Sequence, residues 1–267
     1  MAVAALPSFT RVARGAANPA ASRLIAGAVI LAVWEIVVRL AAPDFVARPS
    51  GILAAIPRVL SSWSFLKAAW ITLAATAEGL VAALILGTAL GLWIGRSKVA
   101  DRSLRLWVSS FNAMPMIVAL PLMSLWFGYT SGARFATIIF AAIFAVIINA
   151  AEGAQSVPVE YLEVAGSFRA SRWRALIEVV VPASMPYLLA GLRLAAGRAL
   201  IGAVVAEFFL AIPGLGYFIL FNSRTYHQNE AFVAVLLLAG FGVGCDVLIN
   251  AATRRYLPWY RRDEGQT

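Results

Sequence analysis

The chain has 267 residues, of which 61% are hydrophobic and only 13% charged, and its mean hydropathy is +0.83. A soluble globular domain carries about 45–50% apolar and about 25% charged residues, so this chain has too few polar groups to cover a water-facing surface and reads as an integral membrane protein. A single cysteine, Cys245, excludes an internal disulfide and a cysteine-based metal cluster, and a single histidine, His227, leaves little for metal or acid–base chemistry.

The net charge of +9 would point to nucleic acid in a soluble protein. No structureless basic tail or aromatic-interleaved basic patch supports that here. Basic residues at span ends, which set membrane orientation, account for the charge, and no nucleic-acid partner is expected. Long uncharged runs, in place of the alternation of a barrel strand, predict an all-α polytopic fold.

About 20 apolar residues cross a bilayer. Arg11, Arg14 and Arg23 precede a first apolar run, 24–40, which contains Glu35 and lacks a small-residue cleavage site; it reads as a retained first span. Residues 41–67 hold Pro43, Pro49 and Pro57 and are too broken to span, with a short surface helix over 52–66. A second span covers 69–94. Arg96, Lys98, Asp101, Arg102 and Arg105 then read as a charged turn, followed by a third apolar segment, 106–129, interrupted by Pro115 and Pro121. The fourth, fifth and sixth spans are placed at 135–151, 188–212 and 231–251, and Arg254, Arg255, Arg261 and Arg262 form a basic tail.

Six spans put both termini on one side. Sixteen Lys and Arg fall on that side and six on the other, which places the termini in the cytoplasm. One membrane domain is expected over 24–252, between a cytoplasmic segment at 1–23 and the tail at 253–267. Gly87, Gly91 and Gly95 recur at four-residue spacing in the second span, and Gly240 and Gly244 in the sixth, giving smooth faces for close packing inside one bundle or for a dimer seam.

Between the fourth and fifth spans, 153–198 is the longest interval in which charges recur inside an apolar sequence. Glu160, Glu163, Arg169, Arg172, Arg174 and Glu178 alternate with apolar residues, and Pro158, Pro182 and Pro186 are expected to limit or bend any helix there. Such a segment suits a membrane interface or a protein partner, and reads as a cytoplasmic docking element over about 153–186. Tyr161, Leu162, Val164 and Phe168 would supply apolar contact, and the carboxylates would meet basic groups of the partner.

Glu163-Val164-Ala165, then Arg169, then Val179-Val180-Val181-Pro182 after nine further residues resembles the signature of permease subunits of binding-protein-dependent ABC importers. The family pattern is Glu-Ala-Ala, three residues, Gly, nine residues, Ile-x-Leu-Pro. Glu163, Ala165 and Pro182 match it, whereas Arg169 stands at the glycine of a tight turn between two short helices. The runs Met114-Pro115-Met116-Ile117-Val118-Ala119-Leu120-Pro121-Leu122 and Trp126-Phe127-Gly128 resemble the nitrate, sulfonate and taurine branch. Pro186-Tyr187, Gly191-Leu192-Arg193, Gly214-Leu215-Gly216-Tyr217 and Leu257-Pro258-Trp259 do so as well.

The resemblance implies a six-span importer fold with a cytoplasmic coupling helix, and a pathway shared with a second copy of the chain. It also implies two ATP-binding subunits at the docking element, where Glu160, Tyr161, Glu163, Ala165, Phe168, Arg169 and Arg172 lie, and an extracytoplasmic substrate-binding protein. The solute would be a small anion or organosulfur compound; permeases for heterocyclic vitamins and their precursors share the branch. No glycine-rich loop ending in Gly-Lys-Ser/Thr occurs, so ATP hydrolysis is assigned to another chain, with no cofactor or metal on this one.

Candidates for the pathway or gate are Asn112, Met114, Pro115, Met116 and Pro121, because a proline-interrupted span needs protein or water to satisfy its freed backbone groups. Glu207, just ahead of the segment with Pro213, Gly214 and Gly216, would line the pathway or else cap the fold by pairing with an arginine. Asn149 and Asn222 would bond an oxyanion or neighbouring backbone. Arg193 and Arg198, at the mouth of the fifth span, would attract an anion, hold the docking element or meet phospholipid head groups. A secondary transporter or channel, and a scaffold that only anchors partners, are the alternatives.

Overall fold

The computed structural model describes residues 19–43 and 45–256; the arginines at 11, 14, 261 and 262 and the motif at 257–259 lie outside them. Every regular element among the described residues is helical, in the order α1 (Pro19–Ala41), α2 (Pro49–Leu60), α3 (Trp63–Arg96), α4 (Lys98–Ala113), α5 (Met116–Phe127), α6 (Ser131–Gln155), α7 (Val159–Ser167), α8 (Arg172–Ala175), a π turn (Leu176–Val180), α9 (Val181–Leu210), α10 (Leu215–Arg224) and α11 (Gln228–Tyr256). Five helical stretches are long and apolar enough to cross a membrane, or six if the bent pair α4 and α5 counts as one span.

The centre of the molecule is the packing of α6 between α3 and α9. Small residues set the spacing. A Cβ on Gly91 would lie 2.6 Å from the Ala150 Cβ, and one on Gly95 2.5 Å from the Ala151 carbonyl oxygen, so the glycine stripe of α3 lies on α6. On the other side of α6, Ala195, Ala199 and Ala203 of α9 join Ala142 and Val146 in one buried cluster. Gly240 and Gly244 of α11 have nothing within 4 Å of the same position, so that stripe is open in this chain.

Four sequence expectations are corrected. The charged turn at 96–105 is mostly helix: Ser97 caps α4 by accepting from the Ala100 amide, and Asp101, Arg105 and Gln155 tie α4 to α6 through bonds of 2.9–3.0 Å. The third apolar segment is no straight span, since α4 and α5 meet at 100° around Pro115; Pro121 sits inside α5 without ending it. The surface helix over 52–66 is two pieces, with Ser61 and Ser62 between α2 and α3.

The fifth span is the fourth correction. It does not start at 188 but runs as one helical stretch of 39 residues from Arg172 to Leu210, through both Pro182 and Pro186. The π turn explains how it passes Pro182, and Pro186 is carried inside α9. The Val181 amide bonds the Leu176 carbonyl, five residues back, and this wider turn lies just ahead of Pro182, where an α turn would press the ring against the carbonyl four residues earlier. Arg193 and Arg198 therefore lie inside the helix, not at its mouth. Removing both from the basic residues of the side expected to be cytoplasmic lowers sixteen to fourteen against six, and the asymmetry survives.

Candidate functional site

Three places bear on function: the docking element, a carboxylate cluster around Glu207, and the break between α4 and α5. The segment expected to dock a partner is a short helix on a firm base. Leu162 of α7 packs with Leu176, Val179 and Val181 on a buried cluster of Leu92, Ala154, Val157 and Val180, so the ends of α3, α6 and α9 all hold it. Ala165 is 9% exposed on the same inward face.

The outward face is open. Tyr161 is 57% exposed, Val164 56% and Phe168 84%, and Glu160, Glu163 and Arg172 are exposed with no ion pair among the described residues. An apolar patch rimmed by unpaired charge, on an element that is itself anchored, has the makeup of a protein contact surface.

Arg169 resolves its own departure from the motif. Its φ is 54°, the left-handed conformation glycine adopts most easily, and its amide bonds the Gly166 carbonyl at 2.8 Å while the Ala170 amide bonds the Ala165 carbonyl at 3.0 Å. Those two bonds form a Schellman cap, so the tight turn survives without glycine. Ser171 then caps the next helical stretch by accepting from the Arg174 amide.

Glu207 is fully buried, and each of its oxygens is occupied. The Thr72 hydroxyl donates to it at 2.9 Å while accepting from the Leu215 amide at 2.7 Å, the Gly216 amide donates at 2.8 Å, and Arg134 donates at 3.2 Å while also bonding the Pro213 carbonyl. Gly214 closes the cluster, since a Cβ there would stand 2.1 Å from the Glu207 carboxyl carbon. The cluster welds α3, α6, α9 and α10 together at one end of the bundle, and in this conformation the carboxylate is not open to a solute. Arg134 and Thr72 were not singled out in the sequence. A threonine in a long helix carries no signal, and the arginine is 73 residues from its partner.

The polar side chains of the spans divide by what they bond. The Asn149 and Asn222 amides donate to their own helices, to the carbonyls of Ala145 and Phe218. Arg193 pairs with Asp246 at 3.0 Å and bonds Asn250, both on α11. Arg198 bonds only the side-chain oxygen of Asn112 in the last turn of α4 and has no carboxylate partner among the described residues.

Beside that bond lies a cavity of about 150 Å³ lined by Phe111, Met114, Met116, Phe140, Phe144 and Ile201, together with Asn112, Ala141 and Arg198. Three pathway candidates of the sequence, Asn112, Met114 and Met116, thus gather at one place; Pro115 makes the bend, and Pro121 and Glu207 lie outside the lining. A larger cavity, about 650 Å³, opens where α2, α3 and α10 meet, with Arg58 and Lys67 on its wall. Among the described residues no group of three or more His, Cys, Asp or Glu is placed to hold a metal ion.

Comparison with known proteins follows the same lines. Residues 83–262 match the family described as binding-protein-dependent transport system inner membrane component. The chain is 28% identical to the putative aliphatic sulfonates transport permease protein of Bacillus subtilis, over 91% of this chain and 88% of that one. It is 27% identical to the formylaminopyrimidine transport permease protein of Halalkalibacterium halodurans, over 87% and 93%. Among solved structures, the inward-facing MetNI methionine ABC transporter superposes with a TM-score of 0.59 at 18% identity, covering 71% of this chain and 96% of that one.

Proposed function

The chain belongs to the binding-protein-dependent transport system inner membrane components, and on that premise we propose that it is the permease subunit of an ATP-driven importer that carries a small anion or organosulfur compound. Family membership sets aside the secondary-transporter alternative. In this reading two copies enclose the pathway, two ATP-binding subunits dock on α7 from the cytoplasm, and a substrate-binding protein delivers the solute on the opposite face. Both termini are cytoplasmic, the spans form one domain over about 24–252, and surrounding lipid completes the outer surface. This chain hydrolyses nothing itself. Closure of the ATP-binding subunits moves the docking element, and the pathway opens to one side at a time.

The observation that carries the reading is the outward face of α7, where Tyr161, Val164 and Phe168 stand exposed beside unpaired Glu160 and Glu163 above a buried base. The test is co-purification, in a mild detergent, with the ATP-binding subunit encoded beside this chain. Wild type retains that subunit, and Glu163→Lys lowers retention about ten-fold or more at unchanged membrane expression, because charge reversal at a contact repels the partner's basic groups. No retention by wild type in several detergents refutes the reading.

A further inference from the structure

We propose that Arg198 and Asn112 form an anion-binding subsite inside the membrane, one that takes the headgroup of a monovalent oxyanion such as a sulfonate or nitrate. The proposal rests on the permease reading and names the residues that would read the solute's charge.

Depth is the first argument. At 1.5 Å per residue, Arg198 lies about 26 Å along α9 from Val181 and about 18 Å short of Leu210. Across from it, Phe140 and Phe144 occupy the middle of the 25-residue α6. The guanidinium is thus held within the depth of a hydrocarbon core about 30 Å thick. Arginine at that depth is costly and, as a rule, faces protein or a water-filled cavity and pairs with an opposite charge.

Pairing is the second argument. The other two arginines inside the bundle follow the rule, Arg134 with Glu207 and Arg193 with Asp246. Arg198, half-buried, has only the neutral oxygen of Asn112. Its positive charge is left for something the described residues do not supply. A guanidinium offers five N–H donors in a planar fork that fits two oxygens of an oxyanion at once. The Asn112 amide nitrogen makes no hydrogen bond among the described residues and adds a neutral donor next to the fork.

Size and walls make the third argument. The cavity of about 150 Å³ corresponds to about five water molecules at their share of liquid volume. That suits the four heavy atoms of nitrate or a sulfonate headgroup and falls well short of the roughly 300 Å³ at which drug-sized pockets begin. Phe111, Phe140, Phe144, Met114 and Met116 keep the walls apolar, so the attraction between guanidinium and anion is screened far less than in water. The subsite also lies on the break itself, with Asn112 just before the 100° bend and Met116 just after it, and Arg198 reaching across from α9. An anion drawn to Arg198 competes for the bond to Asn112, which joins α9 to the bend.

The test uses the full-length permease co-purified with its ATP-binding subunits in lipid nanodiscs. Thermal unfolding is followed while methanesulfonate or nitrate is titrated at ionic strength held constant with sodium gluconate; dimethyl sulfone is the neutral isostere. Wild type gives a saturable rise in Tm with at least one of the two anions and none with dimethyl sulfone. Arg198→Gln raises the half-saturating concentration about ten-fold or more, the loss expected for one hydrogen bond to a charged group, and Arg198→Lys gives an intermediate value.

No saturable response to either anion overturns the subsite, as does an Arg198→Gln complex that responds like wild type. In both cases retained ATP-binding subunits leave the permease reading standing. The lipid arm is native mass spectrometry. If Arg198→Gln strips a bound anionic phospholipid while the methanesulfonate response is unchanged, the guanidinium holds a headgroup, and the subsite is refuted. Should Arg198→Gln fail to assemble, Asn112→Leu carries the test, with half-saturation expected about ten-fold higher for one lost hydrogen bond to the charged anion; an unchanged value overturns the proposal.

Discussion

Two of the arginines inside this bundle end in opposite circumstances. Arg134 meets a carboxylate that two further groups, the Thr72 hydroxyl and the Gly216 amide, also hold, and the whole cluster is sealed by a glycine with no room for a methyl group. Arg198 meets one neutral amide beside a cavity. Breaking a buried ion pair by removing one partner costs far more than the pair contributes, because the remaining charge is stranded. An arginine with no ionic partner has no such debt. The first is a weld, and the second is free to change partners at little cost to the fold.

That difference can be broken at either end. Glu207→Ala should have the largest effect, about 3–5 kcal/mol of destabilisation from a stranded Arg134 and an unsatisfied Gly216 amide, read as loss of folded protein in membranes and a lower Tm. Gly214→Ala follows, at about 1–3 kcal/mol, since the new methyl group overlaps the Glu207 carboxyl and the site is overpacked; the same thermal assay checks it. Arg198→Gln should cost under about 1 kcal/mol, because removing an unpaired charge from membrane depth offsets the lost bond to Asn112. A Tm drop as large as that of Glu207→Ala would erase the distinction between weld and open site.

The smallest effect is expected at Arg169→Gly. Relief of a left-handed residue is worth about 1–2 kcal/mol, and the extra freedom of glycine in the unfolded chain offsets about 0.5–1 of it. The variant should therefore be slightly more stable, read by Tm. A clear destabilisation would show that the arginine side chain itself holds the turn.

Much of the fold was legible because apolar runs report burial or lipid directly. The helices at 24–40, 69–94, 135–151 and 231–251 all stand where charge is sparse in the sequence, each running one to six residues longer at either end. What sequence reasoning lost were the joins. Pro182 and Pro186 signal a helix end only if every turn is an α turn, and the π turn removes that premise. Arg96 to Arg105 looked like a turn because charge clusters in loops, yet the same residues make a good first turn of helix once Ser97 caps them.

The candidate site was half legible. Asn112, Met114 and Met116 stood out around Pro115, but the residue that faces them is 86 positions from Asn112 and no local pattern links the two. One signal was present. Around Arg198, the positions three and four residues away in either direction, Leu194, Ala195, Ile201 and Gly202, offer no acid to pair with it. An arginine in a span without a neighbour on its own helix must find its counterion on another helix or in a ligand.

The π turn at Leu176–Val180 carries a geometric consequence. It accommodates one residue more than uninterrupted α-helix would between the same ends, and one residue is about 100° of rotation at 3.6 residues per turn. The angular phase at which α9 leaves the base of α7 therefore depends on a count of residues as well as on the packing of Leu162. Shortening the segment by one would let the helix close into plain α geometry and swing α7 about the axis of α9 by roughly a quarter turn. The spans and the Leu162 packing would then call for different orientations of α7, and one of them would have to yield.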